Sequence, residues 1–237
     1  MLKNTPVTTD FKTALNTSFS HLRDVSVRDG IQSWDANKWK IDDIIPVVKE
    51  LNALALVAKE NGASMAPVEA WGGNQFSGPV DNLGEDPFEN LKRIKEAAPD
   101  LLLQSLYRGR QAYGFIPVSQ QVQRAGLKAS VDGGVRVVRI FDMMNDITNV
   151  TTGIDILKRL KQDGDKVKIE GAISYISEPK GTARAWGLQD YADYAVALVK
   201  AGAAEIAIKN YAAVDDKEMP ALVRAIRSEL HKVGHAD

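Results

Sequence analysis

Short apolar runs of strand character alternate with longer stretches of helical period along most of the chain. Val25–Val27 leads into Arg28. The apolar runs SMAPVEAWGG, LLLQSLYRG, VRVVRIFD, KVKIEGAISY and EIAIKN follow at Ser64, Leu101, Val135, Lys166 and Glu205. Between them, helical periodicity predicts helices over 42–61, 86–98, 120–131, 149–162, 188–201 and 215–230, several closed by a glycine or opened by a proline. The predicted unit is a strand followed by a helix, six times. The runs end at Asp29, Trp71, Arg108, Asp142, Tyr175 and Lys209, spaced 42, 37, 34, 33 and 34 residues apart. That regularity points to an α/β fold of the (β/α)8 TIM-barrel type, incomplete with about six units. A doubly wound sheet fits the count, but no Gly-x-Gly-x-x-Gly follows the first run.

A parallel barrel presents its chemistry at the C-terminal ends of its strands. The stretch SVRDGIQS places Arg28, Asp29 and Gln32 at the first end, where they could face a small polar ligand or a metal. A surface ion pair in a loop is the plainer alternative. The next ends supply Glu69, Trp71 and Gly72-Gly73, then Gln104 and Arg108, then Asp142, Asn145 and Asp146, then Ser174 and Tyr175, then Lys209 and Asn210. Two arginines suit a carboxylate, which a planar guanidinium binds through paired charge-assisted bonds. Lys209 follows the apolar EIAI, so partial burial is expected. Charges at a barrel end can also simply pair and hold loops. Trp71 reads as packing, and Glu69 equally as a structural hydrogen-bond partner or a site residue.

Composition narrows the field. The 237 residues are 44% hydrophobic and 26% charged, with net charge -1. The length suits one large α/β domain or two small ones. The charge balance gives no sign of a nucleic-acid partner. There is no cysteine, which excludes disulfides, thiolate zinc sites and Cys nucleophiles, and three histidines argue against a His-rich metal site. No apolar run reaches the roughly 20 residues of a membrane span. The polar start lacks the apolar core of a secretory signal, so a cytoplasmic location is the expectation.

With these residues assembled, the chain resembles the carboxyltransferase domain of biotin-dependent enzymes: pyruvate carboxylase, the oxaloacetate decarboxylase α subunit and transcarboxylase. The family's TLRDAHQS is similar to SVRDGIQS, its LEVWGGATFD to VEAWGGNQF at Val68, and its NEDPWERL to GEDPFENL at Gly84. Its LQMLLRGQN, FRIFDALND, QGAISYTISP and IKDMAG are similar to LQSLYRGRQ, VRIFDMMND, EGAISYISEP and IKNYAA, in the same order. Gly30 instead fits the RDG-x-Q of the related branch that holds isopropylmalate synthase and HMG-CoA lyase.

The resemblance implies carboxyl transfer between carboxybiotin and a 2-oxo acid, pyruvate or oxaloacetate, through an enolate stabilised by a divalent metal (Zn, Mn or Co). It matches Asp29 to a metal ligand and Lys209 to the lysine whose carbamate also binds metal. It matches Arg28, Gln32 and Arg108 to residues holding the substrate, and it implies that biotin arrives on a carrier domain or protein. The family's other two ligands, a His-x-His, have no counterpart within 237 residues. Asn210 replaces the family's Asp, and Gly30-Ile31 replaces Ala-His. The expected organisation is an extension over 1–21, a truncated barrel over 22–230 and a tail over 231–237. A homo-oligomer contact, a complementing chain or the rest of a longer protein is expected to cover the open edges. A lyase or synthase of the related branch, and a non-catalytic barrel acting in assembly, are the competing readings.

Overall fold

The computed structural model describes residues 23–35, 38–175, 186–210 and 218–235. Its helices and strands run α1 (Ile31–Asp35), α2 (Ile41–Glu60), β1 (Val68–Gly72), α3 (Asn74–Gly78), α4 (Pro87–Ala97), β2 (Leu103–Tyr107), α5 (Gln120–Asp132), β3 (Val135–Phe141), α6 (Ile147–Gln162), β4 (Lys168–Tyr175), α7 (Leu188–Ala201), β5 (Glu205–Asn210) and α8 (Glu218–Lys232). The strands form one sheet in chain order from β1 to β5. The pairs β3–β4 and β4–β5 are parallel, with Ile140 opposite Gly171 and Ala172 opposite Ala207. The expected 1–21 extension lies outside the described residues.

The chain divides into two compact units, residues 1–105 with 132–136, and residues 106–131 with 137–237. In the first, α2 turns Ile41, Ile44, Val48 and Leu51 inward, and every residue of β1 is buried. Trp71 is fully buried against Phe76 and Phe88, with ring centroids 6.4 and 5.7 Å away, as packing rather than chemistry would place it. Gly72 and Gly73 have φ of 89° and 55°, a left-handed bend that lets β1 turn directly into α3.

The first apolar run is not a strand, which corrects the expected six units to five strands among the described residues. Ser26–Gly30 forms a single π-helical turn. The cause is local. The Asp24 carboxylate accepts from the Ser26 amide (3.0 Å) and hydroxyl (2.7 Å), and the amides of Arg28, Asp29 and Gly30 all donate to the Val25 carbonyl. Short polar side chains offer the backbone this alternative to a ladder. A backbone bond, from the Glu69 amide to the Asp24 carbonyl (2.9 Å), still ties this segment to β1.

In the second unit, α6 buries Val150, Ile154, Leu157 and Leu160, and α7 buries Ala192, Ala195 and Leu198. The alternation of side chains along a strand puts Glu170, Ala172 and Ser174 of β4 on one face, with Glu205, Ala207 and Lys209 of β5 beside them. That face is layered. Arg139 pairs with Glu170 at 2.8 Å, and Lys168 with Glu205 at 2.8 Å. Above them Leu106, Phe141, Ala172 and Ala207 form an apolar layer. Ser174 and Lys209 follow at the strand ends. All eight residues of β4 but the first are buried, whereas all six of β5 are only half-buried. The last helix continues to Lys232, two residues past the expected boundary.

Candidate functional site

In the first unit, Arg28, Asp29, Gln32, Glu69 and Gln104 come together as one network. Arg28 is buried, and its Nε donates to Glu69 Oε1 at 2.6 Å while its Nη2 pairs with the same carboxylate. Its Nη1 reaches Asp29 Oδ1 at 2.7 Å and Gln32 Oε1 at 3.3 Å. The other Glu69 oxygen accepts from Gln104 Nε2 at 3.0 Å, and Gln104 Oε1 accepts from Arg23 Nη1 at 2.6 Å. Gln75 Nε2 donates to the Val27 carbonyl at 2.6 Å and fixes the turn that carries Arg28. A buried ion pair is tolerable only when its polar atoms are satisfied in this way. The network runs from the buried Glu69 to Asp29, whose side chain is 50% exposed. Its exposed edge therefore offers a carboxylate and an amide whose positions are set from beneath.

The second unit holds the two other expected cations over aromatic rings. The Arg108 guanidinium lies 4.3 Å from the Phe115 ring centroid, and Nη1 donates to the Gly114 carbonyl at 3.1 Å. Lys209 Nζ lies 5.2 Å from the Phe141 ring centroid. A cation over a ring keeps its charge while shedding part of its hydration. Lys209 is half-buried and Ser174 stands opposite it in register.

Asp142, Asn145 and Asp146 hold backbone. Asp142 Oδ2 accepts from the amides of Met144 (2.9 Å) and Asp146 (3.0 Å), and Oδ1 from Asn149 Nδ2 (3.0 Å). Asn145, at φ 55°, exchanges hydrogen bonds with the Ser174 backbone, and Asp146 caps α6 through Thr148. Tyr175 donates to Glu218 Oε2 at 3.0 Å, and its ring centroid lies 5.0 Å from that of Tyr191. The Tyr194 hydroxyl is buried and has no hydrogen-bond partner among the described residues, and burial, then Asp142 and Asp146, push its pKa up.

Sequence reasoning passed over Arg23, Gln75 and the two ring platforms Phe115 and Phe141. Arg23 sits five residues before Arg28 in HLRDVSVRDG, the one signal that a second cation serves the same turn. Among the described residues, no three His, Cys, Asp or Glu side chains gather as a metal site. His231 and His235 are both exposed. The donors described do not by themselves fit a divalent metal.

No protein-family model matches the chain. It is 31% identical over 189 residues to the 2-oxoglutarate carboxylase large subunit of Hydrogenobacter thermophilus, covering 80% of this chain and 26% of that protein. It is 29% identical over 207 residues to a pyruvate carboxylase subunit of Methanothermobacter thermautotrophicus, covering 87% of this chain and 33% of that one. The carboxyl transferase domain of Rhizobium etli pyruvate carboxylase, solved with oxamate and biotin, superposes with a TM-score of 0.78 at 30% identity, covering 92% of this chain and 35% of that one. The chain thus spans about a quarter to a third of the length of the relatives it matches.

Proposed function

The chain is a homologue of the carboxyltransferase components of biotin-dependent enzymes, and from that premise we propose that it serves carboxyl transfer between carboxybiotin and a 2-oxo acid, pyruvate or oxaloacetate. The observation that carries the proposal is the network that sets Asp29 and Gln32 at the exposed edge of a buried Arg28–Glu69 pair.

Each residue has a role in this reading. As the sequence resemblance assigns them, Gln32 and the outer edge of Arg28 in the first unit, and Arg108 in the second, serve the carboxylate and keto oxygen of the 2-oxo acid. Fixed cations and amides aimed at an oxygen that becomes an enolate stabilise it without having to reorganise. Lys209, backed by the Phe141 ring, adds a positive group from a rigid strand end. Glu69 acts at one remove, by fixing Arg28. The resemblance alone assigns Asp29 of the first unit and Lys209 of the second to a divalent cation. Since the described donors fall short of a site, further ligands have to come from outside them. A carrier brings the biotin.

The half-exposed β5 is the place for added chain. It pairs with β4, and its apolar Ile206 and Ile208 stay half-covered. Among the described residues no strand pairs with its other side, and a parallel edge of this kind is a template for further strands, from a partner, a second copy or additional sequence.

Gly30 supports the lyase and synthase branch by sequence pattern alone. A Cβ there meets only Ser26 Cβ, at an ordinary 3.6 Å, so the backbone does not demand glycine.

Oxaloacetate decarboxylation, followed as pyruvate release with and without free biotin and Mn2+, tests the reading. The expected result is biotin-stimulated release that falls about tenfold or more in Arg108→Gln and Lys209→Ala. Acyl-CoA-dependent turnover in its place would select the lyase and synthase branch. No turnover under any condition, with assembly intact, would select the non-catalytic barrel.

A further inference from the structure

A cavity of about 420 Å3 in the second unit is lined by Gln120, Gln121 and Arg124 of α5 and by Ile156 and Arg159 of α6. None of these residues belongs to the strand ends described above. Its lining is unusual in charge. Among the described residues it contains two guanidiniums and two side-chain amides but no carboxylate. Among the described residues, neither Arg124 nor Arg159 is engaged by an acid, although surface arginines on helices commonly are. Asp155, the acid one turn before Arg159, instead lies 3.7 Å from Lys158.

The start of α5 adds to this field. No acidic residue occupies its first turn. Ser119 takes the Val122 amide on its hydroxyl (3.4 Å) and the Gln123 amide on its carbonyl (3.0 Å), and the first two amides of the helix, those of Gln120 and Gln121, have no acceptor within the helix itself. The positive end of the helix dipole and two guanidinium forks from different helices therefore open on one cavity with an apolar floor at Ile156.

We infer that this cavity binds a small phosphate-bearing anion of diphosphate size, held by Arg124 and Arg159. A diphosphate carries enough oxygens to engage both forks and the helix amides at once, whereas one carboxylate satisfies a single fork.

Calorimetric titration of the full chain with inorganic pyrophosphate tests this. Saturable binding is expected, weakened about tenfold in each of Arg124→Gln and Arg159→Gln. Lys161→Gln, which removes an equal charge from the same helix outside the cavity, should leave affinity unchanged. Melting temperatures without ligand should match the unsubstituted chain, so that lost binding is not lost folding. Absence of saturable binding below about 10 mM would overturn the inference, as would an equal loss in Lys161→Gln. Citrate binding as tightly as pyrophosphate would overturn the choice of phosphate over carboxylate.

Discussion

At the scale of single residues, Glu69 decides what the candidate site can be. It is fully buried and lies 41 positions from Arg28 in sequence, yet both its oxygens are taken by Arg28 and Gln104. Glu69→Gln keeps the shape but leaves the Arg28 charge buried without a counter-ion. The expected cost is about 3–5 kcal/mol, read from urea unfolding midpoints. The double change Arg28→Met with Glu69→Leu should cost less than the two single changes added together, because it removes both charges. Strict additivity would show that the pair is not coupled. Arg28, Asp29 and Gln32 were legible as a cluster because they sit within five residues of each other. The role of Glu69 was not, because pairing across that separation depends on how β1 docks beside the Arg28 turn.

At the scale of elements, five strands and six long helices stand where hydrophobic period, glycine stops and proline starts predict them. The first run fails because alternation over three residues, Val25 to Val27, is too little to outweigh the Asp24–Ser26 bonds that curl the chain. Two junctions can be tested. Gly109 has φ 48°, and a Cβ on it would lie 2.7 Å from the Asn149 carbonyl oxygen of α6. Backbone cannot yield as a side chain can, so Gly109→Ala should cost about 2 kcal/mol or more in thermal unfolding. It should also disturb the adjacent Arg108. At the start of α6, hydrogen bonds from the Thr148 hydroxyl and amide to Asp146 hold its carboxyl below the usual value. A depressed folded-state pKa contributes stability above the ordinary carboxylate range, and that contribution fades as pH falls through the folded value. The melting-temperature gap between the unsubstituted chain and Asp146→Ala should therefore be widest near neutral pH and close in acid.

At the scale of the whole molecule, the alternation of elements and the ordered family-like segments made the fold class and relationship legible. Period and spacing could not reveal that β5 stands half-covered, since burial depends on what pairs with it. If that edge recruits further chain, light scattering should show concentration-dependent association that Ile206→Lys reduces. Association unchanged by the lysine would place the contact elsewhere. The central claim is that this chain holds a 2-oxo acid. Calorimetric titration of oxamate, a stable mimic of that group, tests it most directly. Saturable binding that weakens about tenfold in Gln32→Ala and in Arg108→Gln is the predicted result. A chain that binds no oxamate below about 10 mM, or binds it equally well after both substitutions, would contradict the account.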